Sequence, residues 1–390
     1  MAERFIYLDH AATTAVSPAV FEKMAPYFTD VYGNPSSVYS IARAAKQAVD
    51  GARETVAGAL GAQPGEIYFT GSGSEADNWA VKGAAAACAA ANKGRHIITS
   101  AIEHHAVLDT CGALEKQGFR VTYLPVDGYG AVSPAALADA IRDDTALVSI
   151  MAANNEIGTI QPIKELAAIA RLHGILFHTD AVQAAGAIPL NAAELGVDML
   201  TIAAHKFYGP KGAGVLYIKS GTKVERFIHG GAQERGRRAG TENVAGIVGL
   251  AEALRIAVAD MDKNNIKLRA LRDRTIREVM AKVPHTILNG HPERRLPNNA
   301  NFAFRYIEGE SMLLLLDMKG IGASSGSACT SGSLDPSHVL LAIGLQHETA
   351  HGSLRVTFGV ENDESDVDYL LETLPPIVQR LRDMSPLYEK

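Results

Sequence analysis

Residues 201–212 read Thr201-Ile-Ala-Ala-His-Lys-Phe-Tyr-Gly-Pro-Lys-Gly212, an apolar run that ends in His205-Lys206 and passes straight into a Gly/Pro turn. With Met199 and Leu200 before it, the run has the length and boundaries of a buried strand over 199–203. A lysine at the end of a buried strand loses solvation, which lowers its pKa and makes its amine a nucleophile able to form a Schiff base. On this motif alone Lys206 also reads as a surface lysine where the strand leaves the core. Its partners, if it has any, must come from elsewhere in the chain.

Working outward, strand and helix patterns alternate. Strands are expected over 66–70, 96–100, 119–124, 146–151, 175–179 and 199–203, with helices over 75–91, 106–117, 134–141 and 163–173 between them. This alternation predicts an α/β fold with a mainly parallel sheet flanked by helices, whose ligands bind beyond the carboxyl ends of the strands. A helix starts at Ser17-Pro18, another spans about 38–60, and a hairpin-like strand covers 214–219. A helical pattern runs from Val244 toward Val283 with a break near Asp262, and the composition changes there. Beyond it, short strands at 286–288, 301–305 and 353–358 and helices over 311–318 and from Glu364 predict a smaller α+β domain. The expected division is 16–260 for the large domain and 1–15 with 261–390 for the small one, since 390 residues exceed one comfortable core.

Composition excludes several classes. Hydrophobic residues make up 47% and charged residues 21%, which describes an ordered globular chain. A net charge of −6 argues against nucleic acid as the main partner, and Arg235-Gly-Arg-Arg238 is too short a basic patch to reverse that. Cys88, Cys111 and Cys329 share no CxxC spacing, so neither a disulfide framework nor a zinc site is indicated and a reducing cytoplasm fits. The first ten residues lack the apolar core of a signal peptide, and no run is long enough for a membrane span. His347-Glu-Thr-Ala-His351 matches H-E-x-x-H, but Gly344 and Gly352 leave room for one or two helical turns only, so no metal is expected there.

The polar clusters gather at strand ends. Thr70-Gly-Ser-Gly-Ser-Glu75 opens a helix and offers N–H groups and hydroxyls suited to a phosphate. Glu103-His104-His105 follows the next strand and supplies an imidazole that could stack on a flat ring. Asn154-Asn-Glu-Ile-Gly158 has the look of an Asx-rich turn. Asp180 ends a buried strand and must face a cation or polar partner, such as a protonated pyridine nitrogen, with Gln183 in reach of a phenolic oxygen. A phosphate nest, a stacking ring, an acid and an amine together fit pyridoxal phosphate. Cys329 sits in Ser324-Ser-Gly-Ser-Ala-Cys-Thr-Ser-Gly-Ser333 with no aliphatic neighbours, which suits a reachable nucleophile as well as an incidental linker cysteine. Arg355 follows on a strand and could clamp a carboxylate.

With these residues in order, and with Leu8-Asp9, Ala12-Thr-Thr14, Gly33-Asn-Pro-Ser36 and Arg238-x-Gly-Thr241 beside them, nearly the whole chain resembles the cysteine desulfurases of the NifS and IscS type, within the class V aminotransferase-like enzymes of PLP fold type I. The resemblance implies that Lys206 forms the Schiff base, His104 stacks on the pyridine ring and shuttles protons, Asp180 pairs with its nitrogen and Gln183 bonds its hydroxyl. Gly73, Ser74 and His205 would hold the phosphate with Thr241 of a second subunit in a homodimer. Asn34, Asn155 and Arg355 would hold the carboxylate of L-cysteine, with Asn155 also near the cofactor, and Cys329 would take the sulfur as a persulfide for an iron–sulfur scaffold or other acceptor protein. Ala203-Ala204 departs from the family, which often has a phosphate-binding hydroxyl at this place. The competing readings are an aminotransferase or selenocysteine lyase, which would not need the Cys329 loop in this form, and a non-catalytic sulfur-transfer or scaffold protein that has kept the fold.

Overall fold

The computed structural model describes residues 5–325 and 336–388. The described residues form the strands β1 (Ile6–Tyr7), β2 (Ile67–Thr70), β3 (His96–Ser100), β4 (Arg120–Leu124), β5 (Thr145–Ser149), β6 (Leu176–Asp180), β7 (Met199–Ala203), β8 (Gly214–Ile218), β9 (Thr286–Asn289), β10 (Asn299–Phe304), β11 (Ile321–Gly322) and β12 (Ser353–Thr357). Seven of them form the central sheet in the order β2-β8-β7-β6-β5-β3-β4. The β7-β6-β5-β3-β4 run is parallel. The hairpin partner β8 runs antiparallel between β7 and β2. Strands β5 to β8 are buried along nearly their whole length, as expected for a sheet covered on both faces.

Local chemistry sets the helix ends. Ser17 caps the helix Pro18–Met24 through the Val20 N–H with proline in its first turn, and Pro26 then starts a separate turn, Pro26–Thr29. The helix Gly73–Ala90 is capped by Ser72, whose side chain accepts from the Glu75 N–H. The expected long helix past residue 244 is two, Val244–Ala259 and Met261–Lys282, parted at Asp260.

Two apolar clusters dominate the interior. The first runs from Val20 to Leu254 and fills the space between the central sheet and one helical layer. The second joins Ile6 and Leu8 to residues between Leu268 and Val378, over the antiparallel sheet β12-β10-β9 and the parallel pair β1-β11. The N-terminal strand is thereby built into the C-terminal half, and residues 9–14 leave it along the carboxyl end of β7. A third cluster packs Trp79 and the alanines of the helix Gly73–Ala90 on the opposite sheet face.

Candidate active site

The strand β7 ends at Ala203 and a single 3-10 turn, Ala204–Lys206, carries His205 and Lys206 out of the sheet. Tyr208 follows with φ +66°, a left-handed conformation that a non-glycine residue adopts only when its neighbours hold it. Here the Tyr208 N–H donates to Thr14 Oγ1 at 2.8 Å and the Tyr208 hydroxyl accepts from the Val360 N–H at 2.8 Å.

The N-terminal loop wraps this turn. Lys206 Nζ donates to Ala11 O at 2.6 Å and Ala12 O at 2.7 Å. His205 Nδ1 lies 3.2 Å from Thr13 Oγ1, and His205 O accepts from both the N–H and the hydroxyl of Thr14. Gln183 Nε2 reaches the same Ala11 carbonyl at 2.9 Å. Lys206 and Gln183 therefore face one point from two strand ends.

Asp180, at the end of β6, is buried and accepts from the Val182 N–H at 2.9 Å. Burial raises its pKa to about 6, against the pull of that hydrogen bond and of the Lys206 charge. His104 caps the helix His105–Glu115, its Nδ1 accepting from the Ala106 N–H at 3.1 Å. Burial, then the positive charge of Lys206, hold it down to about 4, so the ring is neutral and carries its hydrogen on Nε2. His205 is likewise held to about 4, by burial first and Lys206 next. Lys206 thus acts electrostatically on His104, Asp180 and His205 at once.

Gly73 begins its helix with no room for a side chain. A Cβ there would stand 2.9 Å from Val182 Cγ2 and 3.2 Å from Ala203 Cβ. The helix N-terminus, with exposed Ser74 beside it, is pressed onto the ends of β6 and β7, and the N–H groups of its first turn suit an anion. Arg238 closes the far side of this turn through a two-point ion pair with Glu75, at 2.7 and 3.0 Å. Thr241 is exposed on the loop that follows.

Arg355 on β12 reaches the same N-terminal segment that holds Lys206. Its Nη1 donates to Asn155 O at 2.9 Å and its Nη2 to Asp9 Oδ1 at 2.7 Å, while its Nε is buried with no hydrogen-bond partner. Asn155 is held by its backbone, within a turn pinned by Asn154 Oδ1 accepting from the Glu156 and Ile157 N–H groups. Asn34 is part-exposed before the helix Ser40–Ala59, its Oδ1 accepting from the Ser36 N–H, and among the described residues no hydrogen bond joins it to Arg355. Cys329 lies outside the described residues. The chain on either side of its loop is anchored at the site. Ser324 pairs with Arg355, the Ser337 hydroxyl donates to the buried carboxylate of Glu156, and His338 Nε2 lies 3.0 Å from Glu103 O.

Cys88 and Cys111 are buried core residues. His347 and His351 share a five-residue helix with their rings in edge contact, and no group of three metal-ligating side chains occurs among the described residues. Among those residues no helix is long and apolar enough to cross a membrane. Sequence reasoning gave no role to Asp9, to the Ala11 and Ala12 carbonyls or to Asp77. Polar loop residues and backbone carbonyls carry no periodic signal that would single them out.

A profile of the aminotransferase class-V family matches residues 6–370. The chain is 59% identical over 385 residues to a cysteine desulfurase IscS of Methanosarcina thermophila, covering 99% of this chain and 95% of that one. It is 57% identical over 386 residues to a cysteine desulfurase IscS of Clostridium botulinum, covering 98% and 97%. Of solved structures, a NifS-like protein superposes with a TM-score of 0.91 at 39% identity, over 97% of this chain and 100% of that one. SspA in complex with cysteine superposes with a TM-score of 0.79 at 37% identity, over 90% and 98%. With a strand-end lysine, a buried acid, a neutral imidazole and a helix N-terminus meeting on a mainly parallel sheet, and with this similarity along its length, the chain belongs to the aminotransferase class-V family, beside the cysteine desulfurases of the IscS and NifS type.

Proposed function

We propose that the protein is a cysteine desulfurase that works with pyridoxal phosphate, releasing L-alanine from L-cysteine and holding the sulfur as a persulfide on Cys329. The observation that carries this reading is Lys206 at the end of β7, sharing the Ala11 carbonyl with Gln183 and acting electrostatically on Asp180 and His104. The donor set fits the cofactor. It offers an amine, a buried acid for a ring nitrogen, a neutral flat ring and a helix N-terminus that Gly73 lets close onto the ends of β6 and β7. When bound, pyridoxal phosphate supplies a carbonyl for amine capture and a ring that accepts electrons from the substrate Cα.

Gly73, Ser74 and His205 bind the phosphate, aided by Thr241 from a second copy in a homodimer. Asp180 places its charge at the ring nitrogen, His104 covers the ring face and Gln183 meets the ring hydroxyl. Arg355, already oriented by Asp9 and Asn155 O, turns its open Nε to the substrate carboxylate, with Asn34 and Asn155 beside it. Lys206 Nζ takes the proton from the substrate Cα, and His104 Nε2–H is a second proton carrier at the site. The thiolate of Cys329 forms an S–S bond to the substrate sulfur as the Cβ–S bond breaks. The carbon fragment keeps that electron pair, takes up protons and leaves as alanine.

Residues 16–260 form a large domain that holds the cofactor, and 1–15 with 261–390 a small one that brings Arg355 and Cys329 to it. The two apolar clusters support this division. The persulfide passes to an iron–sulfur scaffold or another acceptor protein, in the cytoplasm and without nucleic acid or membrane. The test is to incubate the protein with pyridoxal phosphate and L-cysteine and to measure alanine and sulfide for the native chain and Cys329→Ser. The variant is expected to lose turnover. Unchanged turnover would remove the persulfide role and favour an aminotransferase or lyase.

A further inference from the structure

Behind Asp180 lies a second buried carboxyl that the reaction above does not use. Asp77, on the helix Gly73–Ala90, is 1% exposed. It meets the sheet where β6 and β7 pair Asp180 with Thr201, and the Thr201 hydroxyl faces its carboxyl. The closest basic group is His178, whose Nε2 stands 3.6 Å from Asp77 Oδ1. That imidazole is fully buried between two hydroxyls, with Nδ1 2.9 Å from Ser149 Oγ and Nε2 3.0 Å from Thr201 Oγ1. Burial holds His178 at about 3, so it brings no positive charge. The other ionisable groups facing Asp77 are Asp180 and Glu103, both acids. Among the described residues no lysine or arginine forms an ion pair with Asp77.

An ionised Asp77 would be a buried charge without a counter-ion, next to a second carboxylate. As a neutral acid it completes a donor chain instead. Its O–H would then point to Thr201 Oγ1, the Thr201 O–H to His178 Nε2, and His178 Nδ1–H to Ser149 Oγ. Its Oδ1 accepts no hydrogen bond, which costs less for a carbonyl oxygen than for a carboxylate oxygen.

We propose that Asp77 is a buried neutral carboxylic acid and a positioning residue for Asp180, fixing His178 as the Nδ1–H tautomer and leaving Asp180 to carry the negative charge at the end of β6. Two carboxyls in one site are thereby driven to different protonation states by their surroundings. The inference rests on Asp180 being the acid that pairs with the cofactor's ring nitrogen, and its test separates the two.

The first measurement is the infrared spectrum of the cofactor-free full chain, carrying aspartate labelled with ¹³C at the side-chain carboxyl, at about pH 8 where an ordinary aspartate is ionised. A labelled protonated-carboxyl band is expected, and Asp77→Asn is expected to lose it. Absence of the band from the native chain, or its persistence in Asp77→Asn, overturns the proposal. If Asp77→Asn does not fold, the native chain decides alone. The second measurement is cofactor retention after reconstitution with pyridoxal phosphate. Asp77→Asn, whose amide also donates to Thr201, is expected to stay within about threefold of native, and Asp77→Ala to weaken roughly tenfold for the lost buried hydrogen bond. Native retention in Asp77→Ala overturns the positioning role. A native chain that takes up no cofactor overturns the cofactor reading, and the infrared band still decides where the proton is.

Discussion

Arg355 Nη2 stands 2.7 Å from Asp9 Oδ1, an ion pair between residues 346 positions apart in the chain. The guanidinium is 3% exposed, and its second arm is taken by the Asn155 carbonyl. The N-terminal loop and β12 together aim the group proposed to receive the substrate carboxylate.

Lysine in place of Arg355 keeps the charge and loses the planar fork, so it cannot meet Asp9, Asn155 O and a carboxylate together. Arg355→Lys is expected to raise KM for L-cysteine roughly tenfold, as one lost charge-assisted hydrogen bond would. Cofactor absorbance should be unchanged. Steady-state kinetics with a spectrum of each protein check this, and an unchanged KM would remove Arg355 from substrate binding.

At the phosphate end, Gly73 and Ala203 face each other closely enough to set opposite expectations. Gly73→Ala should cost about 1–3 kcal/mol by overpacking against Val182 and Ala203, read from urea unfolding. Ala203→Ser instead adds a donor beside the helix N-terminus and should tighten pyridoxal phosphate by roughly threefold, in line with one modest hydrogen bond. Reconstitution titrations measure the second effect. Weaker retention in Ala203→Ser would mean that the hydroxyl does not reach the phosphate.

Glu103 is fully buried, and burial pushes its pKa to about 8 although the Ser100 hydroxyl and the Met151 N–H bond it. The folded chain thus binds a proton that the unfolded chain has released by then. The sign follows: the stability contributed by this group is fully present below the ordinary glutamate range and is lost as pH rises toward 8. Glu103→Gln cannot ionise, so its stability relative to native should improve by at least about 1 kcal/mol between pH 5 and pH 9. Urea denaturation of the cofactor-free proteins at the two pH values checks the slope. A constant difference would show that Glu103 does not titrate in this range.

Much of this was legible in the sequence because two signals were strong. Buried parallel strands read as short apolar runs, so β3 and β7 fall where expected, and turn chemistry marks Ser17 as a helix start, while the helix expected from Glu75 begins two residues earlier at Gly73. The residues gathered around Lys206 each sit at a strand end, which the alternation of elements makes visible. What stayed hidden depends on long-range closure. The saddle of residues 11–14 over Lys206 is made by backbone carbonyls whose side chains are two alanines and two threonines. The pairing of Asp9 with Arg355 needs β1 threaded beside β11 in the C-terminal half, and no local pattern announces that. The break expected near Asp262 falls at Asp260, since helical periodicity continues through it on both sides.

The central claim is that Lys206 holds the cofactor through its amine. The direct measurement is borohydride reduction of the protein reconstituted with pyridoxal phosphate, followed by peptide mass spectrometry. One stable adduct is expected, on the peptide containing Lys206, and it should disappear in Lys206→Ala. An adduct on a different lysine, or none from a protein that has taken up the cofactor, would contradict it.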